Sequence, residues 1–169
     1  MTIQESFFTE TIPQLLDQLK PETQPKWGLL NPQAMIEHLV GSWRISNGKA
    51  EAPQMTPNDQ LHQYREFLFS DQPFEANTKN PIMPEQEAPE LRKPDLVSAK
   101  EQLKQEIHDF FAFFRENPHA QPIHPIFGPL DKEGWLQFQD KHMRHHFRQF
   151  GLLEIGRAHV WTPVTVCDL

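Results

Sequence analysis

Apolar residues recur at helical spacing in four stretches of the chain, and the pattern lapses over residues 49–96. Phe7, Phe8, Ile12, Leu15, Leu16 and Leu19 make the first stripe. Pro13 falls inside it and is placed as a helix start, with Thr11 or Ile12 before it. Asn31-Pro32 reads as an N-cap followed by proline at the first helical position. The helix it opens carries Met35, Ile36, Leu39, Val40 and Trp43 on one face and stops near Ser46-Asn47-Gly48. Ser98 is read as the cap of a third helix, striped by Leu103, Ile107, Phe110, Phe111 and Phe114 and ended by Asn117-Pro118. Asp131 caps the fourth, which runs through Trp135, Phe138, His142, His146 and Gln149 to Gly151.

Within residues 49–96, Leu61, Tyr64, Phe67 and Leu68 predict one short helix. Pro53, Pro57, Pro73, Pro81, Pro84, Pro89 and Pro94 deny any long element there. Residues 119–129 form a second proline-rich connector, read as a loop. Four amphipathic helices with one long crossover between the second and third predict an all-α fold, a four-helix bundle. The length of that crossover lets helices two and three run parallel, in up-down-down-up order. A connection this long usually has a function, and covering a pocket is the role expected of it.

The last helix carries its histidines on the face that should be buried. His142 and His146 are four apart and stack on one side, and Gln149 lies within about 20° of His142 in projection. His38 lies on the apolar stripe of the second helix. Burying several imidazoles together costs free energy unless their nitrogens are satisfied, and a divalent metal satisfies them. His145, about 60° from His142, is read as a rim residue able to replace either ligand if the helix rotates. Gln149 can hydrogen-bond an imidazole nitrogen or a ligand, but it cannot act as a base. Glu37 points about 100° away from His38 and is read as solvated.

The other candidates have plainer readings. His124 precedes a proline in a loop and is placed as a structural or pocket-edge group. His62, His108 and His119 default to the surface, and Trp27, Trp43 and Trp135 to the core. Lys141, Arg144 and Arg148 read as the solvated flank of the last helix, although Arg144 or Arg148 could meet an anionic substrate at the rim.

At 169 residues the chain has one domain's length. A formal charge of −7 argues against a nucleic-acid-binding surface, and no apolar run approaches the roughly 20 residues that span a bilayer. The amino terminus lacks the basic and apolar regions of a signal peptide, and a single cysteine, Cys167, allows neither a disulfide nor a thiolate cluster. These features predict a cytoplasmic protein. No Gly-rich phosphate loop or GxSxG elbow is present.

Two segments resemble a known family. Residues 27–39, Trp27-Gly28-Leu29-Leu30-Asn31-Pro32-Gln33-Ala34-Met35-Ile36-Glu37-His38-Leu39, look like the second-helix signature of DinB/YfiT-like proteins, in their domain-of-unknown-function branch. His124-Pro125-Ile126-Phe127-Gly128, then Trp135, then residues 142–150 resemble that branch's HPxFG…W…HxxxHxxQ ending. The resemblance implies a divalent metal, zinc or nickel above all, held by His38, His142 and His146. It also implies metal-dependent hydrolysis or thiol transfer on a small molecule, and homodimers are common in the family. The alternative is a non-catalytic helical bundle whose histidines form a structural hydrogen-bonded cluster.

Residues 154–165 resemble the conceptual translation of a sequencing adapter. The domain is therefore expected to occupy residues 1–153, with 154–169 a non-native tail. Leaving out the tail removes His159, Trp161 and Cys167 from any site.

Overall fold

The structure, a computed structural model, describes residues 3–76 and 90–154. The tail from residue 155, with Cys167, and residues 77–89 of the crossover lie outside the described residues. Among the described residues the fold is chiefly helical, with one two-stranded hairpin. Among the described residues, no helix is long and apolar enough to cross a membrane.

The first stripe begins earlier than Pro13. Helix α1 (Ile3–Ser6) continues without a break through a π-helical turn (Phe7–Thr11) into α2 (Ile12–Gln18). In a regular α-helix the Pro13 ring would strike the carbonyl of Thr9 and leave it unbonded. The π-turn, whose last bond runs from the Ile12 N–H to the Phe7 carbonyl, widens the helix just ahead of Pro13. Helix α3 (Pro32–Ser46) starts where its capping signal predicts, with Asn31 Oδ1 accepting the Ala34 N–H at 2.8 Å.

The short helix expected in the crossover is α4 (Leu61–Phe69), which buries Leu68. Helix α5 (Leu96–Glu116) is capped by Asp95 rather than by Ser98. The Ser98 N–H is the donor, and the Asp95 carboxylate accepts it at 2.7 Å. The connector after α5 is not wholly loop: β1 (Ile123–His124) pairs antiparallel with β2 (Gly128–Pro129). Asp131 caps α6 (Lys132–Gln149), accepting the Gly134 N–H at 2.9 Å.

Contacts fix the helix directions. Glu37 near the start of α3 receives the Arg92 and Lys93 N–H groups, and Asn47 past its end bonds Glu106 at 2.8 Å, so α3 and α5 run the same way. His38 meets His142 and Ser42 meets Gln139, so α6 runs against α3. Lys100 near the start of α5 bonds the Leu19 carbonyl just past α2, while Phe8 meets Trp43, so the first helical segment opposes α3 and α5.

The core is aromatic where these helices meet. Trp43 takes Phe8 and Phe110 edge-on, each with centroids 5.2 Å away, and all three are almost fully buried. Burial of this kind, rather than intrinsic propensity, holds the first helical segment, α3 and α5 together.

Candidate metal centre

The three histidines named from the sequence come together. One ring nitrogen from each of His38, His142 and His146 lies within 4.8 Å of the others. His38 Nε2 and His142 Nε2 face each other at 2.8 Å, across the antiparallel pair α3 and α6. His142 and His146 stack one turn apart on α6 with ring centroids at 4.9 Å, and His38 packs edge-on against both. His142 and His146 are buried, and His38 is half-buried as a residue.

Hydrogen bonds orient one ring and support another. His146 Nδ1 lies 2.8 Å from Gln149 Oε1, and an amide oxygen only accepts, so Nδ1 carries the proton and Nε2 the lone pair. The Gln149 Nε2 group in turn donates to the Trp27 carbonyl at 2.8 Å. One turn along the interface, Ser42 donates to Gln139 Oε1 at 3.1 Å, bracing α3 against α6 beside His142. His142 Nδ1 is a buried atom with no hydrogen-bond partner among the described residues, as is Trp43 Nε1.

Burial keeps all three rings neutral. It lowers the pKa of His38 to about 4, with the neighbouring His145 adding to the effect. Burial, together with His38, lowers that of His146 to about 3 against the opposing bond to Gln149. The His142 pKa lies well below the ordinary value through burial and then through His38 and His146. Neutral imidazoles are the form that ligates a metal.

The donor set fits a divalent ion. A tetrahedral ion with nitrogens at about 2.0–2.1 Å spaces them about 3.4 Å apart, a value inside the observed range. The closest pair, at 2.8 Å, would open by about 0.6 Å, and a pair at the 4.8 Å limit would close by about 1.4 Å. Gln149 supplies the kind of outer hydrogen bond that fixes the tautomer of a histidine able to ligate through its other nitrogen.

The surrounding residues differ from the sequence reading in several places. His145 is a half-buried rim residue, as expected, with its ring 5.1 Å from that of His146. Its Nδ1 donates to the Phe74 carbonyl at 3.3 Å, and Trp27 covers it edge-on at 5.7 Å. Trp27 is thus half-buried at the site instead of in the core, unlike Trp43 and Trp135. Phe74 packs on Phe67 and Phe138, so residues 70–76 of the crossover cover the flank of α6 beside His145.

Glu37 is half-buried and hydrogen-bonded rather than left to solvent alone. Its carboxylate takes Gln33 Nε2 and the Arg92 and Lys93 N–H groups, clamping the chain that enters α5. Lys141 is buried, where its ammonium meets the carbonyls of Ser70 and Gln72 at the end of α4. His124 is structural: its Nδ1 accepts the Ile126 and Phe127 N–H groups at 3.0 and 3.2 Å inside the hairpin. His62, His108 and His119 are exposed. No sequence signal marked Phe74 or Lys141 as site neighbours, because both contacts join segments distant in the chain.

Residues 70–151 match a family model described as "Protein of unknown function (DUF1569)". The matched stretch contains α5, the hairpin and α6, and so includes His142 and His146 but not His38. No curated protein and no solved structure matches the chain.

Proposed function

We propose that this protein binds a divalent metal through His38, His142 and His146 and uses it for hydrolysis or thiol transfer on a small molecule. The convergence of three neutral, largely buried imidazoles within 4.8 Å carries the reading. Zinc or nickel suits such a nitrogen donor set. The directions of the helices support an up-down-down-up four-helix bundle of DinB/YfiT-like kind. The domain bounds that go with this reading are residues 1–153, with 154–169 left outside.

A divalent ion held by three imidazoles keeps a position for water or a thiol and lowers the pKa of what binds there. The chain's own groups set the conditions for that chemistry. Gln149 holds His146 in the tautomer with a free Nε2. Trp27 and Phe74 shield the rim from water on either side of His145. His145 donates through Nδ1 to a carbonyl, which leaves its Nε2 an acceptor for a bound molecule.

A second reading rests on the 2.8 Å approach of His38 to His142. Two neutral rings at that distance also make a hydrogen bond, as a non-catalytic structural cluster would. That arrangement gives the three clustered rings one mutual bond, between His38 and His142. Metal ligation would instead engage one nitrogen of every ring.

Elemental analysis of untagged protein decides between them, with His142→Ala alongside. About one equivalent of a transition metal, lost in the variant, is the expected result. Wild-type protein that is metal-free and takes up neither added zinc nor nickel would overturn the proposal in favour of the cluster.

A further inference from the structure

Three cations follow one flank of α6, and two of them are spent on the fold. The Lys141 ammonium meets the carbonyls of Ser70 and Gln72. Arg144 Nε reaches both oxygens of Asp140 at 2.9 Å, and its guanidinium lies 4.2 Å over the Phe7 ring. Arg148 is different. It is half-buried, yet among the described residues no hydrogen bond or ion pair engages its guanidinium.

A guanidinium carries five donors and stays charged, so partial burial without an acceptor gives up part of its hydration with no protein hydrogen bond in return. Its planar fork matches the two oxygens of a carboxylate or phosphate. Arg148 follows His145 by three residues, so the two share a flank of α6. His145 in turn abuts His146 and Trp27. An oxyanion on Arg148 would therefore sit at the rim of the three-histidine centre.

We infer that the small molecule bound at this centre carries an oxyanion, a carboxylate or a phosphate, and that Arg148 is the residue that recognises it. The inference rests on the proposed function for what lies beside the oxyanion. The contact itself belongs to the metal-free chain and is tested there.

The His145 ring resonances of metal-free protein would be followed by NMR at pH 8 while acetate or inorganic phosphate is added at constant ionic strength. A saturable shift is expected with at least one anion, and the one that binds more tightly identifies the group. Arg148→Gln should weaken that binding at least tenfold, and Arg148→Lys, which keeps charge without the fork, by less. Arg115→Gln, at an exposed position on α5, should leave it unchanged. The inference is overturned if neither anion gives a saturable shift, if Arg148→Gln binds as wild type does, or if Arg115→Gln weakens binding equally. Metal content measured on the same samples separates the two ideas. Anion binding by a wild type that takes up no metal would sink the metal reading and leave the oxyanion site standing.

Discussion

Gln149 stands between the loop carrying Trp27 and the ring of His146, accepting from His146 Nδ1 and donating to the Trp27 carbonyl, both at 2.8 Å. The amide reads both neighbours at once, because its oxygen only accepts and its nitrogen only donates. Replacing it with leucine removes both bonds at similar size. The expected result is a 10- to 100-fold loss of metal affinity with the fold retained, measured by competition with a chelator. Unchanged affinity would show that packing alone orients His146.

Gly28 makes the same junction possible. Its φ of 78° suits glycine, and a Cβ there would come within 2.8 Å of Gln149 Nε2. Gly28→Ala is therefore expected to cost about 1–2 kcal/mol by urea unfolding, through backbone strain and displacement of the amide. Metal affinity should fall with it. A variant as stable as wild type would mean that the loop has room to shift.

Local signals in the sequence located α3 and α6, because Asn31-Pro32 and Asp131 are strong caps next to clear apolar stripes. The start of α5 was harder to place. Asp95 follows Pro94 at the end of an irregular stretch, and Ser98 offered a competing cap three residues on. The hairpin leaves no periodic signal because its strands are two residues each and its turn is tied by a histidine side chain. The same limit holds for the site. The spacing of His142 and His146 is local, whereas the placing of His38 leaned on a family resemblance. Trp27, Phe74 and the clamp at Glu37 depend on contacts between remote segments, which periodicity does not encode.

His124 makes stability depend on pH in a predictable direction. Its Nδ1 must keep a lone pair for two backbone N–H groups, and Phe127, Trp135 and Phe138 enclose the ring. Burial lowers its pKa to about 3, whereas the unfolded side chain titrates near 6.5. Above pH of about 6.5 the ring is neutral in both states and contributes no pH dependence. Below it the unfolded chain binds a proton that the native chain refuses, so stability falls down to about pH 3. His38, His142 and His146 act in the same sense in metal-free protein. His124→Asn retains an acceptor without titrating. It should flatten the fall in Tm between pH 6.5 and 4, and an equally steep curve would remove His124 as a cause.

Glu106 gives the parallel pair α3 and α5 its charged tie. The carboxylate is 3% exposed and receives Asn47 and Lys49 at 2.8 Å and Arg44 at 3.2 Å. Burial works against its charge, but the bonds from Lys49 and Asn47 outweigh it, and the pKa lies below the ordinary carboxylate value. Removing the carboxylate strands the buried Asn47 Nδ2, which keeps only a long 3.4 Å contact to the Glu106 carbonyl, while Asn47 Oδ1 still accepts the Lys49 N–H at 3.2 Å. Lys49 and Arg44 are 38% and 39% exposed and can return to water, which limits the damage. Glu106→Ala is expected to cost about 2–4 kcal/mol by urea unfolding, and Glu106→Gln less, since an amide oxygen can still accept. Metal content should not change in either variant, because Asn47 lies more than two turns beyond His38. A loss below about 0.5 kcal/mol, the range of ordinary surface substitutions, would mean that apolar packing alone joins α3 to α5.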